Sequence, residues 1–147
     1  MGNILWHLRG SVALNGNQDS ALDGIEGLLG AQYKTVIERG SDHVSFDDPL
    51  WRSMFVPNWL AMLMYDRGHF WTDNSQGTLL LYYDLRSLHG MLFCMFAAGL
   101  AFFFGMADQG LQSGLAYAAF AFVWLYGVNM LLALIRVPRA IREAVRE

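Results

Sequence analysis

Cysteine is almost missing from this chain. Cys94 stands alone among 147 residues, so no intrachain disulfide can form and the redox compartment cannot be read from thiols. Sequence patterning for the commoner chemistries is missing as well. There is no phosphate-binding glycine loop, no dinucleotide fingerprint and no serine or cysteine nucleophile motif. The N-terminus, MGNILWHLRGSV, has no charged segment followed by an apolar run of signal-peptide length, which predicts that nothing there is cleaved or exported; Trp6 also breaks the myristoylation pattern. A basic patch is lacking too. Residues 1–87 hold six Lys/Arg against ten Asp/Glu, and that acidic balance argues against nucleic acid, whose phosphates need neutralising. Neither internal repeats nor low-complexity stretches occur.

The last absence is the most informative. Two runs, 88–106 (LHGMLFCMFAAGLAFFFGM) and 111–135 (LQSGLAYAAFAFVWLYGVNMLLALI), contain no Asp, Glu, Lys or Arg. As helices they reach about 28 Å and about 37 Å, against a hydrocarbon core of about 30 Å. Both lengths suffice to cross a bilayer. Residues 107–110 join them, which predicts a tight antiparallel transmembrane hairpin. Arg136, Arg139, Arg142 and Arg146 follow the second run and Arg86 precedes the first, while the loop between carries Asp108 and no cation. By the positive-inside bias both termini face the cytoplasm, with a bacterial inner membrane as the expected setting and these five arginines at its surface. Residues 136–147 then form a basic cytoplasmic tail, able to continue as a short helix after Pro138.

The preceding 87 residues are expected to form a small cytoplasmic domain. Alternation from Ile4 to Leu14 has the period of a half-buried strand and stops at the turn signal Asn15-Gly16-Asn17. Ser20 and Asp23 resemble a capping pair for a helix over about 21–29, with Leu22, Ile25 and Leu29 on one face. Gly24 and Gly27 weaken that helix by about 1 kcal/mol each relative to Ala. Strands are expected over 33–38 and 43–46, around a turn at Gly40, and over 68–72 and 78–85, around a turn ending at Gly77; Gly68 is also read as a turn residue. The head is therefore predicted as α+β, about five mainly antiparallel strands with one short helix, followed by the all-α hairpin.

Between the two strand pairs lies LWRSMFVPNWLAMLMY, residues 50–65. It either fills the core, meets a partner or touches lipid; Trp51, Phe55, Trp59 and Tyr65 are the candidate partner-binding side chains, because Trp and Tyr favour interfaces and Met-rich surfaces repack readily. In the apolar runs, Gly90, Ala97, Ala101 and Gly105 are candidate helix-packing positions, beside a neighbouring small stripe through Cys94 and Ala98. Asn129 is expected to hydrogen-bond between helices. His89, the single histidine of either run, is a possible ligand for haem or a chlorophyll-type pigment, although an interfacial hydrogen-bonding role is commoner and no cofactor is predicted outright. Asp42-His43 with Asp47-Asp48 fits no zinc or calcium spacing, so no metal is expected. Asp66-Arg67-Gly68-His69 offers acid, base and anion binder in one turn, without a nucleophile beside it.

These readings point to a non-catalytic accessory or assembly subunit of a larger integral membrane complex, with other integral membrane proteins and the lipid bilayer as partners and no nucleic acid. Two alternatives stand beside it: a small membrane-bound enzyme or cofactor-binding protein using His89 or His69, and a homo-oligomeric membrane scaffold or sensor.

Overall fold

A computed structural model describes residues 6–49, 60–75 and 77–146. The chain forms β1 (His7–Ala13), α1 (Gln18–Ala31), β2 (Val36–Arg39), β3 (His43–Asp47), β4 (Arg67–Asp73), β5 (Leu80–Arg86), α2 (Leu88–Gln109) and a final long helix, α3 (Leu111–Ala144), with one π-helical stretch at Val123–Val128. The five strands make one antiparallel sheet in the order β1-β5-β4-β3-β2. β1 and β2 thus occupy opposite edges, and α1 crosses one face of the sheet between them.

The period-two pattern decides which face that is. In β5, Leu81, Tyr83 and Leu85 point inward while Leu80, Tyr82 and Asp84 point outward; β3 and β4 send Val44, Phe46 and Phe70 to the same inner side. Leu22, Ile25 and Leu29 of α1 close over them fully buried, each burial stabilising by about 1.5–3 kcal/mol. Helix α1 begins at Gln18, earlier than its apolar periodicity suggests. Asn17, extended after the turn, is the cap: its side chain accepts from the Asp19 backbone N–H at 3.0 Å, in place of the expected Ser20 and Asp23 pair.

Part of this core comes from an unexpected source. Helix α3 runs past Ile135 without a break, so residues 136–144 are not a separate tail. Ala133, Val137 and Ile141, spaced four apart, are buried against the sheet and α1. Pro138 lies inside this stretch and removes one helical hydrogen bond, a loss of about 3 kcal/mol that the burial on either side offsets. Gly24 has a packing role here as well. A Cβ there would overlap the Ala144 carbonyl oxygen, so the glycine lets α1 lie directly on the end of α3.

Two of the expected turn glycines also work by space. Gly68 sits within β4, where a Cβ would overlap Phe46 Cε1 and lie 2.6 Å from Leu85 Cδ2; Gly40 leaves room for the His43 ring. Among the described residues, only Gly77 and Gly110 of the glycines have positive φ, 75° and 90°.

Helices α2 and α3 are both long and apolar enough to cross a membrane. The connection is shorter than the four residues expected, because α2 continues to Gln109 and Gly110 alone makes the reversal. Reciprocal glycines set the close approach: a Cβ on Gly105 would stand 3.0 Å from the Ser113 carbonyl oxygen, and one on Gly114 2.8 Å from that of Phe102. Most of the apolar surface stays uncovered, with Phe104 77% and Phe120 70% exposed. The apolar windows of the two helices are only 22% and 11% buried.

Candidate functional site

The chemistry-bearing side chains gather where the sheet meets α2. Helix α1 ends with the Lys34 backbone N–H donating to the Leu29 carbonyl at 2.8 Å and with Tyr33 at φ 57°, a left-handed conformation rare outside glycine. That reversal turns Lys34 inward. Its ammonium donates to Asp48 Oδ2 at 3.0 Å and to the Tyr65 carbonyl at 2.8 Å, with the two charged side chains 2% and 4% exposed. Burial pushes the Lys34 pKa down from its ordinary value, and the bond to Asp48 opposes that shift.

A second ion pair adjoins the first. The Asp48 backbone N–H donates to the Asp66 carbonyl at 2.7 Å, and the Asp66 N–H to the Arg86 carbonyl at 2.8 Å. The Asp66 carboxylate is 2% exposed; it accepts from Arg86 Nε at 3.0 Å and from the His89 backbone N–H at 3.2 Å, with His89 Nδ1 3.8 Å away. Asp66 therefore ties the end of β5 to the first turn of α2, where a carboxylate is also favoured by the helix dipole. Arg86, expected at a membrane surface, is paired with this carboxylate and 25% exposed. Behind it, the fully buried Ser87 shares a 3.0 Å hydrogen bond with the Tyr126 hydroxyl on the π-helical stretch, so α3 is fastened at the same point.

The outer sheet face carries a different array. Tyr82, Trp71 and His43 lie side by side across three strands, and His69 joins them: Trp71 stacks on Tyr82 at 5.6 Å and on His69 at 5.2 Å, with His43 5.5 Å from His69. His69 Nδ1 bonds Ser45 Oγ at 2.6 Å. Asp84 accepts from Arg9 Nε at 2.7 Å and bonds His7 Nδ1 at 2.7 Å, while Arg67 Nε donates to Asp47 at 3.1 Å. Asp42 and Glu38 beside His43 raise its imidazole above the usual value, Asp42 most. The segment 66–69 is thus not one turn with three cooperating groups. Strand alternation sends Asp66 into the buried junction and Arg67 and His69 to the outer face. It likewise separates His43 and Asp47 from Asp48, and no group of three or more His, Cys, Asp or Glu able to hold a metal occurs among the described residues.

Of the candidate partner-binding residues, Trp51, Phe55 and Trp59 lie outside the described residues. Tyr65 is fully buried in the core, and its hydroxyl has no hydrogen-bond partner among the described residues. On α2, Gly90 and Gly105 are buried while Ala97 and Ala101 are half-buried; Cys94 and Ala98 of the neighbouring stripe are the buried alanine-sized positions. Gly90 faces the head: a Cβ there would be 3.1 Å from the Met64 carbonyl oxygen. Asn129 does not reach across to α2. Its Nδ2 donates to the Leu125 carbonyl of its own helix at 2.6 Å, at the end of the π-helical stretch where the regular ladder changes register. Arg136, Arg139, Arg142 and Arg146 are exposed. No protein-family model, curated protein or solved structure matches the chain. The reading of function therefore rests on this geometry.

The sequence reading passed over Lys34. The signal was present: it is the single lysine beside nine arginines. Arginine is always charged, whereas lysine is the cation whose pKa yields to burial.

Proposed function

We propose that this chain is a non-catalytic accessory or assembly subunit of a larger integral membrane protein complex. Helices α2 and α3 form its transmembrane hairpin in a bacterial inner membrane, and the head and both termini face the cytoplasm. The observation that carries this reading is the double fastening of head to hairpin. The Asp66 carboxylate and Ser87 hold β5 to α2 and α3, and the last turns of α3 complete the head's own core. A head joined in this way holds a fixed stance relative to the hairpin, suited to bridging a membrane-embedded contact and a cytoplasmic one. Uncovered aromatic side chains along both helices, Phe93, Phe96, Phe103 and Trp124 among them, supply the surface for lipid and for helices of other subunits. On the outer sheet face, stacked rings beside paired charges have the mixed character of a protein contact.

Purification from the native membrane in mild detergent tests the proposal, with accompanying proteins identified by mass spectrometry and an optical spectrum recorded on the eluate. Larger membrane proteins in fixed stoichiometry, lost on Trp71→Ala while the chain itself still inserts, are the expected result. A lone homo-oligomer would overturn the reading in favour of a scaffold, and an absorption band abolished by His89→Ala in favour of a cofactor-binding protein.

A further inference from the structure

A cleft of about 540 Å³ opens between the far end of β1, the first turn of α1 and the end of α3. Its size is that of a small-molecule site. Among the described residues Arg142 and Arg146 line it and no carboxylate does, in a chain whose net charge is −3. Arg142 Nε is engaged by the Pro138 carbonyl at 3.0 Å, and neither arginine has an acidic partner among the described residues. Asn17 and Ser20 bring the N-terminal turn of the 14-residue helix α1 to the same wall, with its partial positive charge and the backbone donors that remain after Asn17 caps the Asp19 N–H.

Tyr83 supplies the independent pointer to a ligand. It is 5% exposed, lines the cleft, and its hydroxyl makes no hydrogen bond among the described residues. Its cross-strand partner is Gly10, at which any Cβ would overlap that hydroxyl. The glycine therefore leaves room for the phenol beside the edge strand. Facing the cleft, this hydroxyl is a donor available to any acceptor that enters it.

We infer that this cleft binds the phosphoryl group of a small soluble phosphate ester. Two guanidinium groups, a helix N-terminus and a phenolic donor all favour an anion with several acceptor oxygens. Apolar Val12, Leu14 and Val145 leave room for the ester's remaining part. Position decides against a lipid headgroup. The cleft lies at the Leu80 end of β5, and six residues of extended strand, about 20 Å, separate it from Ser87, where α2 begins.

The full chain, reconstituted in nanodiscs of zwitterionic lipid, is titrated with inorganic phosphate at constant ionic strength while the Gly16 and Ser20 amides are followed by NMR. Saturable shifts are expected, with affinity at least tenfold weaker in Arg142→Gln, about threefold weaker in Tyr83→Phe, and unchanged in Arg136→Gln, an exposed arginine outside the cleft. Replacing the discs with ones rich in phosphatidylglycerol should leave the affinity unaltered. Linear shifts, or equal weakening by Arg142→Gln and Arg136→Gln, would overturn the site in favour of diffuse attraction. Loss of phosphate binding in the anionic discs would overturn the soluble source and assign the cleft to a lipid headgroup.

Discussion

Replacing Ile141 by alanine probes whether the end of α3 belongs to the head. Ile141 is fully buried among side chains of α1 and the sheet, whereas Ile135, six residues earlier on the same helix, is 64% exposed. Truncating a buried isoleucine to alanine costs about 2–5 kcal/mol, the lost transfer free energy plus a cavity contribution. For a domain of roughly one hundred residues each kcal/mol moves Tm by about 4–8 °C, so a fall of about 8 °C or more is expected. Hydrogen exchange in detergent gives the sharper readout because it is local. Amides of β4 and β5 should exchange roughly thirty-fold faster or more, since about 1.4 kcal/mol is a factor of ten in the opening equilibrium. Ile135→Ala should leave the same amides unchanged. Equal, unaltered protection in both variants would refute the argument and return residues 136–144 to the status of a tail.

Breaking the Lys34–Asp48 pair from one side, as in Lys34→Met, should destabilise by about 3–5 kcal/mol in thermal unfolding, and adding Asp48→Leu should recover a large part of it, since a buried carboxylate that has lost its cation is the costly species. His43 should titrate above 6.5 by NMR, and Asp42→Asn should bring it back down. Because its folded pKa is raised, its contribution to stability is fully present below pH 6.5 and is lost as pH rises through the folded value. Gly68→Ala should cost about 1–3 kcal/mol through overlap with Phe46 and Leu85, while Gly16→Ala, with open space around it, should stay within about 0.5 kcal/mol in the same melt.

The local periodicities in the sequence carried most of the fold. Alternation over 4–14, 43–46 and 68–72 reports strands because one face of the sheet is buried and the other is not, and an unbroken apolar run reports a long helix whatever surrounds it. What such patterns omit is the partner of each face. Val137 and Ile141 stand among arginines, and in a short window they look like the incidental apolar residues of a basic tail. Only the buried spacing Ala133–Val137–Ile141 reveals them as a core stripe, and that depends on the helix continuing through Pro138. Gly24, Gly40 and Gly68 escaped for a related reason. Each is required by a neighbour distant in the chain or in a side-chain direction, which no propensity records. The junction was partly legible: Asp66 drew notice in a group with Arg67 and His69, Arg86 among the arginines that flank the apolar runs, and His89 as a ligand candidate or an interfacial hydrogen-bonding residue, but their contact with one another has no signature in the sequence.

The contacts themselves show what the junction does. In Asp66, a carboxylate 2% exposed satisfies a guanidinium from β5 and a backbone N–H of α2, and the Asp66 backbone completes a link through Asp48 to the sole lysine. These hydrogen bonds each hold one chain segment against another. A general acid or base needs a proton within reach of a substrate, and a buried carboxylate committed to β5 and α2 is poorly placed to offer one. Buried ion pairs of this kind contribute little net stability beside an apolar replacement, because desolvation consumes most of the Coulombic gain. They are directional, however, and a hydrophobic contact is not. Sheet, first apolar helix and second apolar helix converge at Ser87, where a generic greasy contact would permit sliding; hydrogen bonds from Asp66, Arg86 and Tyr126 define a single register instead. Fixing that register is the structural work on which the proposed bridging role depends.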